Sequence, residues 1–234
     1  MHITLILILV PAILFTGACI DGGPGTEQNM ELESEEMIVL PEPKTAGEIS
    51  IEETLSSRRS VRTYTREPIT LDDLSQLLWA AQGVTSEEWG GLRTAPSAGA
   101  LYPLEVYVVA GNVDGVSDGV YHYQTEKHTL QKVCDGDLRR NLSACALHQS
   151  QITDAAVDIV FTAVFERTTV KYGDRGVRYV YIEAGHAAQN VYLQAEALGL
   201  GVCAIGAFYD DDVAELLLLT EGEVPIYILS IGKV

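Results

Sequence analysis

Over residues 179–198, apolar side chains recur at Ala184, Ala188, Val191, Ala195 and Leu198, spaced four, three, four and three apart. That spacing falls on one face only in an α-helix about 20 residues long. Most of these side chains are small, so a neighbouring layer can approach closely, and Gly199 marks the helix end. The rest of the fold must be built around this helix. Leu104–Ala110 alternates with β-branched and aromatic residues and reads as a strand. Residues 120–123 and 129–133, joined through Thr125-Glu126-Lys127, read as a hairpin. Residues 158–164 form an apolar run of strand length, expected at a sheet centre. Two short buried strands are expected at 202–205 and 226–231, with a helix at 211–218 between them, capped by Asp210.

Two further helices are announced by capping-box patterns. Ser50 with Glu53 predicts a short helix from Ile51 to about Arg58 or Arg59. Thr70 with Asp73 predicts a second, with Leu71, Leu74, Leu78 and Ala81 on one face and Gly83 as its C′ glycine. Helices alternating with strands, plus one hairpin, specify an α+β domain of three layers. With 234 residues at 47% hydrophobic, the chain can fill one such core but has little left for a second.

The two ends of the chain differ in character. Residues 3–18 are almost continuously apolar, short of the roughly 20 residues a bilayer span needs. They suit a signal-peptide core, and Thr16-Gly17-Ala18-Cys19 resembles the lipobox of prokaryotic lipoproteins, which would make Cys19 a lipidated mature N-terminus. No Lys or Arg precedes the run, and Thr16 stands where an aliphatic residue is usual, so an uncleaved anchor is the other reading. Residues 21–48 carry seven glutamates, one lysine and three prolines. Such a segment buries too little surface to offset its ordering entropy. The expected organisation is a leader over 1–19, an acidic flexible tether over 20–48 and a domain over 49–234. The chain is thus expected to be exported and membrane-anchored, or cytoplasmic if the leader is not one.

A formal net charge of −18 excludes nucleic-acid binding, which needs clustered Lys and Arg. Cys19, Cys134, Cys145 and Cys203 show no metal-ligand spacing, so no metal is expected; the last three read as buried free thiols, with a disulfide between two of them the alternative in an exported domain. Against this acidity, four of fifteen basic residues fall between positions 58 and 66. In Arg58-Arg59-Ser60-Val61-Arg62, an extended backbone would point Arg58, Ser60 and Arg62 to one side, a donor set for phosphate. A solvated basic loop is the plainer reading. The second constellation, Ala95-Pro96-Ser97-Ala98-Gly99-Ala100-Leu101-Tyr102-Pro103, is small enough to let backbone and a planar ring approach each other.

These two segments resemble the nitroreductase family, and within it the SagB-type dehydrogenase branch, which includes oxidases of azoline rings in modified peptides. The resemblance runs from about Leu40 onward. It takes in residues 57–64 (Ser-Arg-Arg-Ser-Val-Arg-Thr-Tyr), the 96–103 loop, Lys171-Tyr172-Gly173, residues 183–190 (Glu-Ala-Gly-His-Ala-Ala-Gln-Asn) and Ile231-Gly232. It implies a nitroreductase-like domain with a mainly antiparallel central sheet flanked by helices, and a homodimer with FMN at the interface. It further implies an oxidoreductase that transfers hydride through flavin N5, with NAD(P)H as a candidate electron donor and a small molecule as substrate. Arg58, Arg59 and Ser60 would hold the phosphate and ribityl end, and Arg62 would lie near the ring atoms that gain charge on reduction. Pro96, Ser97, Ala98 and Gly99 would come from the second subunit. Ile205, Gly206 and Ala207 would face N5, and Lys233 would share the phosphate work. Many relatives carry a glutamate where this chain has Gly206, so the site should be roomier.

In azoline oxidases of this branch a Lys-Tyr pair is implicated in proton removal, which makes Lys171 and Tyr172 the candidate catalytic residues. A structural role for the pair is the alternative. Glu183 and His186 are expected to face inward as satisfied core polar groups. The rival functional readings are oxidation of peptide-derived azoline-type heterocycles and a non-catalytic flavin- or ligand-binding surface lipoprotein.

Overall fold

The computed structural model describes residues 37–88 and 91–234. The leader, Cys19 and the first part of the expected tether lie outside the described residues. Seven strands form one antiparallel sheet in the order β1-β6-β5-β4-β7-β9-β8. These are β1 (Met37–Val39), β4 (Leu104–Ala110), β5 (Gly119–Gln124), β6 (Thr129–Asp135), β7 (Val157–Val164), β8 (Leu200–Ile205) and β9 (Glu223–Lys233). Two short strands, β2 (Val84–Ser86) and β3 (Leu92–Arg93), make a separate ribbon.

The period of two within each strand divides its side chains between two helical layers. On β4, Val106, Val108 and Ala110 face one cluster, with Leu74, Leu78, Ala184, Ala188, Val191 and Ala195. These come from α2 (Leu71–Gln82) and α6 (Arg175–Ala197). Tyr107 and Val109 face the other, with Leu142, Ile152, Val213 and Leu217. That layer is built from α3 (Arg139–Cys145), α4 (Ser150–Asp154) and α7 (Asp210–Leu216). Two more helices, α1 (Ile51–Ser57) and α5 (Glu166–Tyr172), pack on α6. The three-layer α+β architecture is therefore the one expected. The small stripe on α6 does what its spacing implied, lying on the sheet with Val191 and Ala195 fully buried.

Several local expectations are corrected. The tether does not run to Glu48 with the domain opening at Ile49. Residues 37–39 pair with β6, Leu40 is buried, and the Lys44 backbone exchanges two hydrogen bonds with the Gln76 amide. Averaging composition over 21–48 hid the apolar cluster Met37-Ile38-Val39-Leu40, which suffices for an edge strand. Gly83 ends α2 in an extended conformation (φ −61°), not the left-handed one of a C′ glycine. It is needed there because a Cβ would lie 2.2 Å from the Trp79 ring. Asp210 is the first residue of α7 and makes no capping bond, since Tyr209 occupies the cap position. Helix α6 begins at Arg175, four residues earlier than its periodicity suggested. Cys134, Cys145 and Cys203 are free thiols, only Cys203 being fully buried. No helix among the described residues is long and apolar enough to cross a membrane.

Candidate functional site

Residues 58–65 leave α1 and run along the edge of the sheet formed by β8 and β9. The Val61 amide donates to the Val202 carbonyl over 2.8 Å, and the Thr65 amide to that of Lys233 over 2.8 Å. Two glycines make this approach feasible. A Cβ at Gly201 would lie 2.8 Å from Val61, and one at Gly232 would lie 2.8 Å from the Tyr64 ring. The terminal Ile231-Gly232 pattern thus has a packing reason. The Tyr64 hydroxyl, pushed well above its ordinary pKa by burial, donates to the Ser230 carbonyl.

The segment so anchored presents its donors on one side. The Arg58 guanidinium lies 5.5 Å from the centroid of the Tyr192 ring, and Ser60 Oγ is 3.2 Å from Tyr192 Oη. The same hydroxyl accepts the Ala204 amide proton over 2.8 Å, joining α6 to the end of β8. Arg62 is exposed, and its charge acts on Tyr64 and on the buried Cys203 thiol. Beyond Ile205, Gly206 is exposed, and only the Tyr227 ring edge, at 3.9 Å, would meet a side chain there. Arg59 does not join the set. Its Nη1 turns back to the carbonyls of Ser56, Ser57 and Arg58, closing the open end of α1. Lys233 Nζ faces Glu67 at 3.9 Å.

The 96–103 loop lies against another part of α6. Gly99, Ala100 and Tyr102 all have positive φ (67°, 54° and 44°), a strained run that must be held by its surroundings. Ser97 Oγ accepts the Tyr102 amide proton over 2.9 Å. Arg93 stacks 4.4 Å from the Tyr102 ring centroid, and Arg167 donates to the Tyr102 carbonyl over 3.1 Å. Lys171 and Tyr172 reach this loop from the last turn of α5: a Cβ at Gly99 would lie 2.7 Å from Tyr172 Oη and 2.8 Å from Lys171 Nζ. Both candidate catalytic side chains therefore converge on the small-residue loop from a helix.

Two residues were misjudged from sequence. Glu183 is 2% exposed, yet its Oε1 has no hydrogen-bond partner, so it is not a satisfied core group. Burial raises its pKa to about 7, opposed by the Ser97 hydroxyl and the Arg93 charge. His186, one turn on, is exposed and does not face inward. A third, Tyr192, was overlooked. Its signal was an aromatic with a polar tip inside the small-residue stripe, where a buried hydroxyl needs a partner.

The residues fit a flavin mononucleotide by the chemistry of their donors. Arg58 and Arg62, without an acidic partner among the described residues, form a phosphate-type set with the Ser60 hydroxyl, and the open backbone at Gly206, with only the Tyr227 ring edge 3.9 Å from where a Cβ would sit, leaves room for a flat ring. Along α6, Tyr192 and Glu183 stand nine residues apart, roughly 14 Å at 1.5 Å per residue. The donor set and the loop thus meet α6 at different points along its length.

A seven-stranded antiparallel α+β domain with this donor strip defines a class, and comparison identifies it. Residues 55–233 match the model of the nitroreductase family. A nitroreductase-named protein of Methanocaldococcus jannaschii is 47% identical over 80% of this chain and 92% of its own. The FMN reductase (NADPH) of Bacillus subtilis is 26% identical over 77% of this chain and 64% of its own. Among solved structures, a nitroreductase-named protein of Ralstonia eutropha superposes with a TM-score of 0.75 at 34% identity, covering 85% of this chain and 90% of that one. A chain of the Escherichia coli microcin synthetase McbBCD complex superposes with a TM-score of 0.66 at 26% identity, over 86% of this chain and 79% of that one. The chain belongs to the nitroreductase family.

Proposed function

We propose that this protein is an FMN-dependent oxidoreductase that works as a homodimer. Arg58 and Ser60, with Tyr192 behind them, would hold the phosphate and ribityl end. Arg62 would place a fixed cation near the ring, where charge gathers on reduction. Ile205, Gly206 and Ala207 would line the ring edge, and Pro96, Ser97, Ala98 and Gly99 of the second copy would cover its face. When bound, the flavin supplies two-electron redox chemistry; the chain supplies grip, orientation and charge.

The observation that carries this reading is the donor strip itself. Ser60, Arg62 and Gly206 are exposed in one chain, so a ligand lying on them would have one face bare. A second copy would cover it. Exposed apolar side chains on α5 and α6 support self-association, with Val170 78%, Tyr181 55% and Ile182 48% exposed. NAD(P)H is the donor suggested by the reductase relatives. A second reading, oxidation of azoline-type heterocycles in a peptide, is favoured by Lys171 and Tyr172 meeting at Gly99 and by the likeness to a microcin synthetase chain.

Lys233 has only a distant acidic neighbour at Glu67, and its share in phosphate binding belongs to the same proposal. So does anchoring through Cys19. Export would place the domain away from cytosolic nicotinamides and so favour an external electron donor. Incorporation of labelled fatty acid, lost in Cys19→Ala, tests that part.

The test of the main reading uses the full chain, because truncation at Ile49 would remove β1 from the sheet. Purified protein should be yellow, release FMN on denaturation and run as a dimer. A monomer that takes up no FMN in excess overturns the proposal, and a flavin-loaded dimer without turnover turns it toward the binding-only reading. Bleaching by NADH or NADPH separates a nicotinamide-driven reductase from a dehydrogenase.

A further inference from the structure

Glu183 is a buried carboxyl on α6, the helix that packs against the small-residue loop, and the reading above leaves it without a role. It projects from α6, is 2% exposed, and has one oxygen with no partner and the Ser97 hydroxyl beside it. Arg93 on β3 is the charged group acting on it, while Lys171 on α5 meets the same loop at Gly99. A hydroxyl has one proton to give and two lone pairs to receive with. Ser97 already spends one lone pair on the Tyr102 amide. Its remaining lone pair and its single proton are what Glu183 can compete for.

We propose that Glu183 sets the direction of the Ser97 hydroxyl: as a carboxylic acid it donates to Ser97 Oγ and frees the Ser97 proton for a ligand on the 96–99 loop, and as a carboxylate it takes that proton itself. Glu183 is thus a positioning residue, acting on the ligand only through Ser97. The inference rests on the reading that this loop lines the flavin ring. Burial holds the carboxyl near the midpoint of its titration at neutral pH, so both states are populated there. The acid form leaves the loop with one more donor, which favours a ring carrying carbonyl acceptors.

The experiment compares the full chain with Glu183→Gln and Ser97→Ala from about pH 5.5 to about 8.5. Riboflavin is used beside FMN, because the FMN phosphate titrates in the same range. Wild type should bind riboflavin about fivefold more tightly at the acid end, the worth of one hydrogen bond. Glu183→Gln, whose amide always donates, should hold the tight value at every pH. Ser97→Ala should show the weak value throughout. A Glu183→Gln protein that keeps the wild-type pH dependence overturns the proposal.

The flavin-free protein gives a separate readout. Wild-type thermal stability should fall as pH rises through about 7, and Glu183→Gln should abolish that slope. In the Ser97→Ala background, the effect of Glu183→Gln should change in size between the two ends of the pH range. Strict additivity of the two substitutions at both ends overturns the coupling, whether or not flavin binds. Failure of wild type to bind any flavin would instead sink the functional reading, and the flavin-free cycle would still decide the Glu183–Ser97 link.

Discussion

Tyr192 Oη accepts the Ala204 amide proton over 2.8 Å and lies 3.2 Å from Ser60 Oγ, so one phenol ties the long helix to both halves of the donor strip. Tyr192→Phe keeps the ring under Arg58 but leaves the Ala204 N–H without its partner. A lost hydrogen bond with a half-buried donor left behind costs about 1–2 kcal/mol. In a domain of this size, that lowers Tm by roughly 2–8 °C. FMN affinity should fall as well, because Ser60 loses the group that orients it. Differential scanning fluorimetry and flavin titration check both, and an unchanged affinity would detach Tyr192 from the site.

Neighbouring arginines should separate cleanly. Among the described residues Arg58 has no acidic partner and it stacks on Tyr192, whereas Arg59 is committed to the carbonyls that end α1. Arg58→Ala is expected to weaken FMN binding by about tenfold to a hundredfold, the range of a charge-assisted phosphate contact, while leaving riboflavin affinity nearly unchanged. Arg59→Ala should leave both affinities alone and cost about 1 kcal/mol or less of stability. Equal losses of FMN affinity in the two variants would show that the phosphate is bound some other way.

How far the sequence was readable depends on the range of the signal. Strand β4 has its expected bounds because alternation along seven residues is a local property. The α6 stripe likewise declared its buried face through Ala184, Ala188, Val191 and Ala195. Helices α3, α4 and α5 were missed because they are five to seven residues long, too short for periodicity to register. Strand β1 was missed because three residues form a strand only when β6 is there to receive them. The expectation that Lys171, Tyr172 and Arg58 serve one site came from family resemblance, not from local pattern. That Arg59 turns back onto the carbonyls of Ser56, Ser57 and Arg58 is a local side-chain choice that residue pattern does not encode, whereas the isolation of Glu183 depends on how segments far apart in sequence pack.

The segment that was read as tether should open in acid. His128, in a left-handed conformation (φ 50°), places Nδ1 2.8 Å from Tyr123 Oη and Nε2 3.1 Å from the Pro41 carbonyl and 2.7 Å from Ser75 Oγ. Burial lowers its pKa from 6.5, so the folded state favours the neutral ring more than the unfolded chain does. The stability contributed is therefore present above about pH 6.5 and is lost as pH falls from there through the folded value. Protection of the Leu40 amide, which donates to the His128 carbonyl, against hydrogen exchange should fall relative to the intrinsic rate on acidification before that of the sheet centre does. If Leu40 and the β7 amides exchange together across this range, the clasp is not pH-sensitive.

Gly99 offers a way to disturb the candidate chemistry with little harm to the fold. An alanine there adopts a positive φ at a cost of about 1–2 kcal/mol. Its Cβ would meet only the far ends of two side chains, Tyr172 Oη and Lys171 Nζ, which can move. Gly99→Ala should therefore lower Tm by only a few degrees while displacing both groups from the loop. If either moves a proton in turnover, kcat should fall by tenfold or more, the scale of positioned acid–base groups, with KM changing less. Lys171→Ala and Tyr172→Phe should each reproduce that loss without the strain. The combination of Gly99→Ala with Lys171→Ala should fall well short of the product of the single effects, because both remove the same group from the same place. Multiplicative effects would mean that the glycine serves the flavin ring alone and that Lys171 acts elsewhere, if it acts at all.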